Sequence, residues 1–285
     1  AREFIKYLNI HLFKSKRSTK GYFMWITRQL TPNFRQEYTI DTKILDARST
    51  HSIEIFKSTD FEQIAMIDQT HLMLGKYLFI ESELLAHLPL CVLPQADNVL
   101  LFDSFNLEIA YECLKHNVKV DCVQGDKKTL DSLMSFLPHF HKVLQHKDFL
   151  LFTQVIDLDI KKYDVIIADS VLNKHQIDGL ARMLTNTGIL IMRNHHPLLE
   201  EESFMQKLSD CAEFFHIVMP FFPSLSILGD KSYIFASKKP HPKADMLLQK
   251  IDLLPSLQYY NAHIHESVFA LPHFLFSKIQ SIARF

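Results

Sequence analysis

Polar side chains follow three short apolar segments that are expected to form strands. Asp103 comes directly after NVLLF, Gln124 and Asp126 follow VKVDCV, and Asp169 and Ser170 follow YDVIIA. Carboxylates suit a cationic or hydroxyl-rich ligand, whereas a phosphate needs the backbone amides of glycines or basic side chains. These residues therefore predict a site for a cation or for sugar hydroxyls, and not for a phosphate.

The segment after the first of these strands, DSFNLE at 103–108, contains no glycine. In many nucleotide-binding α/β proteins this junction is a glycine-rich turn that wraps a phosphate. Asp103 could hold a ligand here, or it could cap the helix that follows. Asp169 and Ser170 have the same two alternatives, but an aspartate that ends a central strand is expected to face the ligand-binding crevice.

After Pro94 the chain alternates apolar strands with helical stretches. This rhythm is typical of a mostly parallel, Rossmann-like sheet that helices cover on both faces, which places the chain in the α/β class. Ligands bind such sheets at the carboxyl ends of the strands. A helix is predicted over residues 77–94, because apolar residues recur there every three or four positions. The predicted strands are NVLLF, VKVDCVQ, YDVIIAD, GILIMR and SYIFAS.

The first part of the chain has a different period. EYTIDTKILDARS and HSIEIFKS alternate apolar and polar residues, and QIAMIDQTHLML adds another strand pair. Such alternation is typical of half-buried antiparallel strands. We therefore predict a small antiparallel β-domain over residues 24–80 and the Rossmann-like domain over residues 81–285.

Residues 1–23 stand apart because they carry six Lys or Arg and a single Glu. The segment MWITRQLTP, from Met24, reads like a natural start. We interpret residues 1–23 as an extension that is not native to the protein. The alternative is a basic arm for a membrane surface or a nucleic acid.

The composition excludes several kinds of partner. The formal net charge of the 285 residues is −1, and no apolar run is long enough to span a bilayer. The four cysteines show no CxxC spacing, and the 16 histidines form no HExxH frame. We expect a cytoplasmic protein that binds no nucleic acid, no membrane and no metal.

Three motifs give the chain a family resemblance. QYYNAHIHESVFALPHF at 258–274, YDVIIADS at 163–170 and ESELLAHLPLC at 81–91 resemble, in order and spacing, the spermidine synthase family of polyamine aminopropyltransferases. The resemblance extends from about Met24 to the C-terminus. The chain looks most like the divergent members of the Helicobacter and Campylobacter group.

The resemblance implies a fold and a reaction. The fold is a small N-terminal β-domain followed by a Rossmann-like domain. The reaction moves an aminopropyl group from decarboxylated S-adenosylmethionine to putrescine or a similar diamine, and it leaves methylthioadenosine. The donor is a co-substrate, so no bound prosthetic group is expected. A homodimer is expected as well.

The resemblance also implies roles for individual residues. Asp169 matches the family's catalytic aspartate, which would hold the substrate ammonium and take up its proton. The residues implied at the donor are Asp103, Asn106, Gln124, Gln154 and Ser170. Those implied at the acceptor amine, beside Asp169, are Glu81, Ser82 and Glu83. Glu83 has an alternative role as a salt bridge or cap within its helix, and Glu81 as a solvated residue of the first helical turn.

Several family positions have lost a charged or polar side chain. Asn106 and Gln124 stand where the family has acids. Leu172 stands where the family has an aspartate, and Leu72 where it has a glutamine. The family's pocket tyrosine falls near Ser226. Amides still form hydrogen bonds with ribose or adenine, but they cannot neutralise a sulfonium. Glu81 could restore one charge. The departures favour one alternative, a weak or inactive homologue that binds a polyamine or nucleoside. The other alternative is a methyltransferase that uses intact S-adenosylmethionine, and acidic pocket walls argue against it because they would repel the extra carboxylate.

Overall fold

The described part of the chain contains two small antiparallel sheets and one larger mixed sheet. The computed structural model describes residues 10–13, 23–155, 158, 162–225 and 231–285. The strands are β1 Ile10–Phe13, β2 Phe23–Thr31, β3 Phe34–Ile40, β4 Thr42–Arg48, β5 Ser52–Ser58, β6 Glu62–Ile67, β7 His71–Leu74, β8 Asn98–Phe102, β9 Lys119–Val123, β10 Phe149–Phe152, β11 Tyr163–Ala168, β12 Leu184–Asn194, β13 Ile217–Phe221 and β14 Ser232–Ser237. The helices are α1 Leu78–Leu90, α2 Glu108–Leu114, α3 Lys127–Ser132, α4 Phe140–Leu144, α5 Lys174–Met183, α6 Glu201–Ala212, α7 Leu248–Asp252, α8 Ala262–Ser267 and α9 His273–Ile279.

The first compact unit comprises the described residues up to Leu78 together with Asp126–Pro138. Strands β1–β2–β3 form one antiparallel sheet and β4–β5–β6–β7 form another. Residues 10–13 of the predicted extension are described, and they pair with β2; residues 1–9 and 14–22 lie outside the described residues. The antiparallel domain predicted from period-two alternation is thus present.

Residues 126–138 belong to this first unit, although the sequence placed them in the second domain. Asp126 is the N-cap of α3, and its carboxylate accepts a hydrogen bond from Thr129 N. It also accepts from Ser49 Oγ at 2.6 Å and from His51 N at 3.1 Å. Asp126 is therefore a helix cap that joins α3 to the β4–β5 turn, and not a free acid at a strand end.

The second unit comprises Phe79–Gly125 and His139–Phe285. Its sheet has the order β10–β9–β8–β11–β12–β14–β13. In this order, the neighbours β10–β9, β9–β8, β8–β11 and β11–β12 pair in parallel. Strand β14 pairs antiparallel with both β12 and β13. The mostly parallel sheet and the antiparallel first unit confirm the predicted fold class.

Both faces of the central strands are buried. Leu100 and Ile166 pack in a cluster with α5 and α6, and Leu101 and Ile167, one position further along each strand, are buried as well. Successive side chains of a strand point to opposite faces, so the sheet is covered on both sides. Each fully buried aliphatic side chain contributes about 1.5–3 kcal/mol to the free energy of folding.

The strand register determines which side chains meet at the carboxyl edge of the sheet. Phe102 pairs with Val123 and with Ala168, and Ala168 pairs with Met192. The residues that follow these positions are Asp103, Gln124, Asp169 and Arg193. The sheet thus brings the predicted strand-end residues to one edge, together with an arginine.

Within the described residues, no helix is long and apolar enough to cross a membrane.

A buried polar cluster links α1 to α2. His87 Nε2 donates to Glu112 Oε2 at 3.0 Å, so His87 Nδ1 accepts from His116 Nε2–H at 2.9 Å. Lys115 Nζ lies 2.6 Å from the same Glu112 oxygen. Burial lowers the pKa of His87 despite the neighbouring Glu112. Burial, together with His87, Lys250 and Lys115, lowers the pKa of His116 to about 2.

We expect this cluster to make folding sensitive to acid. The unfolded chain binds protons on these histidines below about pH 6.5, whereas the folded chain does not. The contribution of His116 to stability is therefore complete above pH 6.5 and is lost as the pH falls toward 2, by about 1.4 kcal/mol per pH unit. His87 acts in the same direction. In His116→Gln the side-chain amide can still donate to His87, and one such contribution disappears.

Urea unfolding at pH 7, 6 and 5 measures this effect. The stability of His116→Gln relative to wild type should improve by about 2 kcal/mol between pH 7 and pH 5. His175, on α5, is exposed, and His175→Gln is the matched control, with no such trend expected. An equal acid dependence in wild type and His116→Gln would contradict the assignment.

Candidate active site

Asp169 lies at the centre of the carboxyl edge and is held there by a basic side chain. Arg193 Nη2 donates to Asp169 Oδ1 at 2.6 Å, and Ser104 Oγ lies 3.4 Å from Asp169 Oδ2. The side chains of Asp169 and Arg193 are only 2% and 17% exposed. Helix α5 is capped by Asn173, which forms a capping box with Gln176. Neither Asp169 nor Ser170 is therefore the cap of that helix.

A second buried ion pair lies beside the first. Lys231, the residue before β14, places Nζ 2.6 Å from the Glu81 carboxylate in the first turn of α1. The exposed fractions are 3% for Lys231 and 12% for Glu81. Glu81 is thus not a solvated residue of the first helical turn. It faces the interior with a cation already bound to it.

The two ion pairs act on each other, and we call the four residues Glu81, Asp169, Arg193 and Lys231 the charge quartet. Burial lowers the pKa of Lys231, and so does Arg193, while Glu81 and Asp169 act in the opposite direction. Burial alone would lower the pKa of Arg193 too. The Asp169 carboxylate, with Tyr233 and Glu81, outweighs burial and raises the pKa of Arg193.

The glycine-free loop 103–108 is held by its own side chains. Asn106 Oδ1 accepts from Glu108 N at 3.1 Å, and Asn106 Nδ2 donates to Ser82 Oγ at 3.1 Å. Asp103 is exposed and adopts a φ of 51°, a left-handed conformation that Asp tolerates better than most residues. The N-cap of α2 is Leu107, so the alternative of Asp103 as the cap of that helix is wrong.

The remaining predicted donor residues lie at the same edge. Gln124 is 2% exposed, and its N–H donates to Phe152 O at 2.9 Å, so the ends of β9 and β10 lie side by side. Gln154 is exposed two residues beyond β10, and Ser170 is half-buried. The structure therefore places Asp103, Gln124 and Ser170 at the same edge of the sheet as Asp169. Ser226 lies outside the described residues.

Glu83 has a structural contact where a substrate contact was predicted. Its carboxylate accepts the backbone N–H groups of Gln258, Tyr259 and Tyr260, each at 2.8 Å. The residue is 1% exposed. Because three donors of the C-terminal segment already occupy this carboxylate, we withdraw Glu83 from the substrate ligands.

His265 completes the anchoring of the same segment. Its Nε2–H donates to Pro242 O at 2.7 Å, and its Nδ1 accepts from the Tyr260 hydroxyl. Within the described residues, no group of three or more His, Cys, Asp or Glu side chains is placed to hold a metal ion.

Sequence reasoning missed Arg193 and Lys231. It weighed the acids and amides at the strand ends and overlooked the arginine that closes GILIMR. Lys231 lies at the amino end of a strand. The rule that ligands bind at the carboxyl ends of parallel strands therefore does not point to it. The usable signal was the antiparallel direction of β14, which brings its first residues to the edge where the parallel strands end.

Comparisons with known proteins show which family the chain resembles. The family model of the spermine/spermidine synthase domain matches residues 78–247, and that of the spermidine synthase tetramerisation domain matches residues 24–71. The polyamine aminopropyltransferase of Helicobacter acinonychis (strain Sheeba) is 50% identical over 250 residues, which are 87% of this chain and 95% of that protein. The enzyme of the same name from Helicobacter pylori (strain G27) is 48% identical with the same coverage.

Solved structures resemble the chain in fold. The crystal structure of spermidine synthase from Thermotoga maritima matches with a TM-score of 0.83 at 23% identity, over 96% of this chain and 98% of that one. A spermidine synthase in complex with the transition state analogue AdoDATO matches with a TM-score of 0.82 at 22% identity, over 97% and 99%. The resemblance inferred from the three sequence motifs is thereby confirmed, including its Helicobacter character.

Proposed function

Because this chain belongs to the spermine/spermidine synthase family, we propose that the carboxyl edge around the charge quartet is the active site of a polyamine aminopropyltransferase. The enzyme transfers an aminopropyl group from decarboxylated S-adenosylmethionine to putrescine and produces spermidine and methylthioadenosine. The donor is a co-substrate and not a prosthetic group. The match to the family over residues 78–247, which contain the whole carboxyl edge up to Asn194, carries this conclusion.

Asp169 is the proposed catalytic residue. The reaction forms a C–N bond from the amine lone pair and breaks a C–S bond, so the enzyme must present an unprotonated nitrogen in line with the carbon. A carboxylate at the end of β11 can accept an N–H of that nitrogen or take its proton. Burial and the ion pair with Arg193 support the role, because they fix the direction of the carboxylate.

The donor and acceptor ligands are proposed from their positions. We assign Asp103, Gln124, Gln154 and Ser170 to the donor, since amide and hydroxyl groups can form hydrogen bonds with ribose and adenine. The Asn106 side chain is engaged by Ser82 and by the start of α2. Asn106 and Ser82 therefore contribute by holding the loop. Glu81 is assigned to the acceptor side, where it would share its carboxylate between Lys231 and the amine.

Two alternatives gain an argument from the charge quartet. Two acids and two bases cancel, which weakens the attraction for polyamines and favours an inactive binding homologue. Arg193 and Lys231 could also bind the carboxylate of intact S-adenosylmethionine, which removes the argument that acidic walls exclude a methyltransferase.

One assay distinguishes the three functions. The purified full chain is incubated with putrescine and either decarboxylated or intact S-adenosylmethionine, and products are identified by mass spectrometry. We expect equal amounts of spermidine and methylthioadenosine from the decarboxylated donor. Methylated diamine would establish the methyltransferase. Binding of the donor without any product would establish the inactive homologue.

We further propose that the enzyme is a cytoplasmic homodimer. Oligomers are supported by the match of residues 24–71 to a tetramerisation domain, and a reducing compartment by the four free, buried cysteines. Sedimentation equilibrium and cell fractionation test the two parts. A mass of four chains would replace the dimer with a tetramer.

A further inference from the structure

We propose that Arg193 makes the active site select the uncharged form of the attacking amine, because Arg193 already neutralises the carboxylate that an ammonium would need. This inference rests on the proposed function of Asp169. Arg193 is a positioning residue, since it acts through Asp169. The proposal changes the expected role of Asp169 from an acceptor of the substrate's proton to an acceptor of a hydrogen bond.

The geometry leaves one oxygen of Asp169 for the substrate. Oδ1 is bound by Arg193 at 2.6 Å, whereas the contact of Oδ2 with Ser104 Oγ is long, at 3.4 Å. A neutral amine can donate one N–H to Oδ2 and keep its lone pair free for attack. An ammonium there would add a third positive charge to a buried group that holds two positive and two negative charges, and an uncompensated charge in such a site is costly.

Charged groups on the neighbouring elements that the structure describes support the same balance. Arg193 comes from β12, Lys231 and Tyr233 from the start of β14, and Glu81 from α1. Glu81 is already paired with Lys231 at 2.6 Å. Asp103 follows β8 and is exposed, so water screens its charge. Within the charge quartet, each carboxylate thus has its own cation before any substrate arrives.

Arg193 cannot release the carboxylate by losing its proton. Its pKa is raised by Asp169, Tyr233 and Glu81 against the effect of burial. Arg193 therefore keeps its charge and its hydrogen bond to Asp169 Oδ1. The step that remains is attack by the neutral amine: the nitrogen lone pair forms the C–N bond, and the C–S electron pair leaves with methylthioadenosine. The new secondary ammonium takes over the positive charge that the sulfonium loses, and the product departs in this protonated form.

The pH dependence of kcat/KM for putrescine tests the selection of the neutral amine. An alkylammonium has a pKa of about 10, so the neutral fraction rises about tenfold per pH unit between pH 7 and 9. We expect kcat/KM for putrescine in the wild-type enzyme to rise about a hundredfold over this range. The kcat/KM for the donor, at saturating putrescine, should remain nearly constant. A flat putrescine profile in wild type overturns the proposal.

Variants of Arg193 test its part in the selection. In Arg193→Gln the Asp169 carboxylate can accept an ammonium, and the rise between pH 7 and 9 should shrink to less than about threefold. Arg193→Lys keeps the positive charge and should keep the steep rise of kcat/KM for putrescine with pH. A merely structural role of Arg193 would not produce this result. The matched control is Arg182→Gln, which removes an exposed Arg–Asp pair on α5. A steep profile in Arg193→Gln would contradict the proposal.

Failure of this inference differs from failure of the proposed function. If Asp169→Asn is inactive while the wild-type profile is flat, Asp169 remains catalytic and only the selection is wrong. If Asp169→Asn is fully active, the proposed role of Asp169 is wrong, whatever the pH profile. Thermal melts of all variants show whether each one is folded at the assay temperature.

Discussion

Asp169→Asn is expected to lower kcat for aminopropyl transfer by about a hundred- to ten-thousandfold, the range typical of a positioned catalytic carboxylate. An asparagine oxygen accepts a weaker hydrogen bond from the amine than a carboxylate oxygen does. The measurement is steady-state release of methylthioadenosine at saturating putrescine and donor. Turnover near the wild-type rate would contradict the assignment.

The ion pair with Arg193 requires a control for folding. Asp169→Asn leaves Arg193 charged and mostly buried, and loss of one partner of a buried pair can cost about 3–5 kcal/mol, less here because Arg193 is 17% exposed. The double variant Asp169→Asn/Arg193→Gln removes both charges. We expect it to melt close to wild type and still to be inactive. A double variant that recovers activity would show that the single loss was a folding defect.

Glu83→Gln is expected to destabilise the protein strongly, although the change conserves size and shape. The Glu83 carboxylate accepts three backbone N–H groups of the C-terminal segment at 2.8 Å. A glutamine offers one oxygen, and its NH2 group would face N–H donors. Hydrogen bonds to a charged group are worth about 1.5–3 kcal/mol each, so the loss in the free energy of unfolding should be about 2–4 kcal/mol.

Urea unfolding measures this loss, and kinetics at low temperature separates it from substrate binding. The KM for putrescine in folded Glu83→Gln should equal that of wild type, because the carboxylate contacts the backbone and not the amine. Glu266→Gln, on the exposed side of α8, is the matched control and should change neither quantity. A raised KM with unchanged stability would restore Glu83 to the substrate ligands.

Much of the fold could be predicted, because the hydrophobic period differs between the two parts of the chain. Alternation of apolar and polar residues indicated β4 to β7, and largely apolar segments indicated β8, β9, β11, β12 and β14. FLLF at β10 and IVMPF at β13 were not predicted as strands. Short apolar runs fit a strand or a buried loop equally well, and IVMPF contains a proline.

The boundary between the units depends on contacts that a local pattern does not contain. Residues 126–138 follow a strand of the large sheet, so their sequence position suggests the second domain. Their place is determined by Asp126, which binds Ser49 and His51 across 77 and 75 positions of the chain. Such long-range hydrogen bonds have no periodic signature.

The sequence predicted the edge of the sheet at which the candidate site lies, but it did not predict the cations there. Asp169 follows from the rule that ligands bind at the carboxyl ends of parallel strands. The prediction of acidic walls was incomplete, because it counted Glu81 and Asp169 without the cations that pair with them. Arg193 and Lys231 lie outside the three motifs that carry the family resemblance, so the motifs could not point to them.

The antiparallel insertion of β14 between β12 and β13 also bears on how such enzymes diverge. It brings residues from parallel and antiparallel strands together at the carboxyl edge of the sheet. Side chains can change there while the backbone hydrogen bonds between the strands stay intact. Exchanging Arg193 or Lys231 for a neutral residue alters the charge at this edge without repacking the core of the sheet. Chains with superimposable backbones can therefore differ in the charge state of the amine they accept. The acceptor preference can change while the backbone of the sheet stays the same.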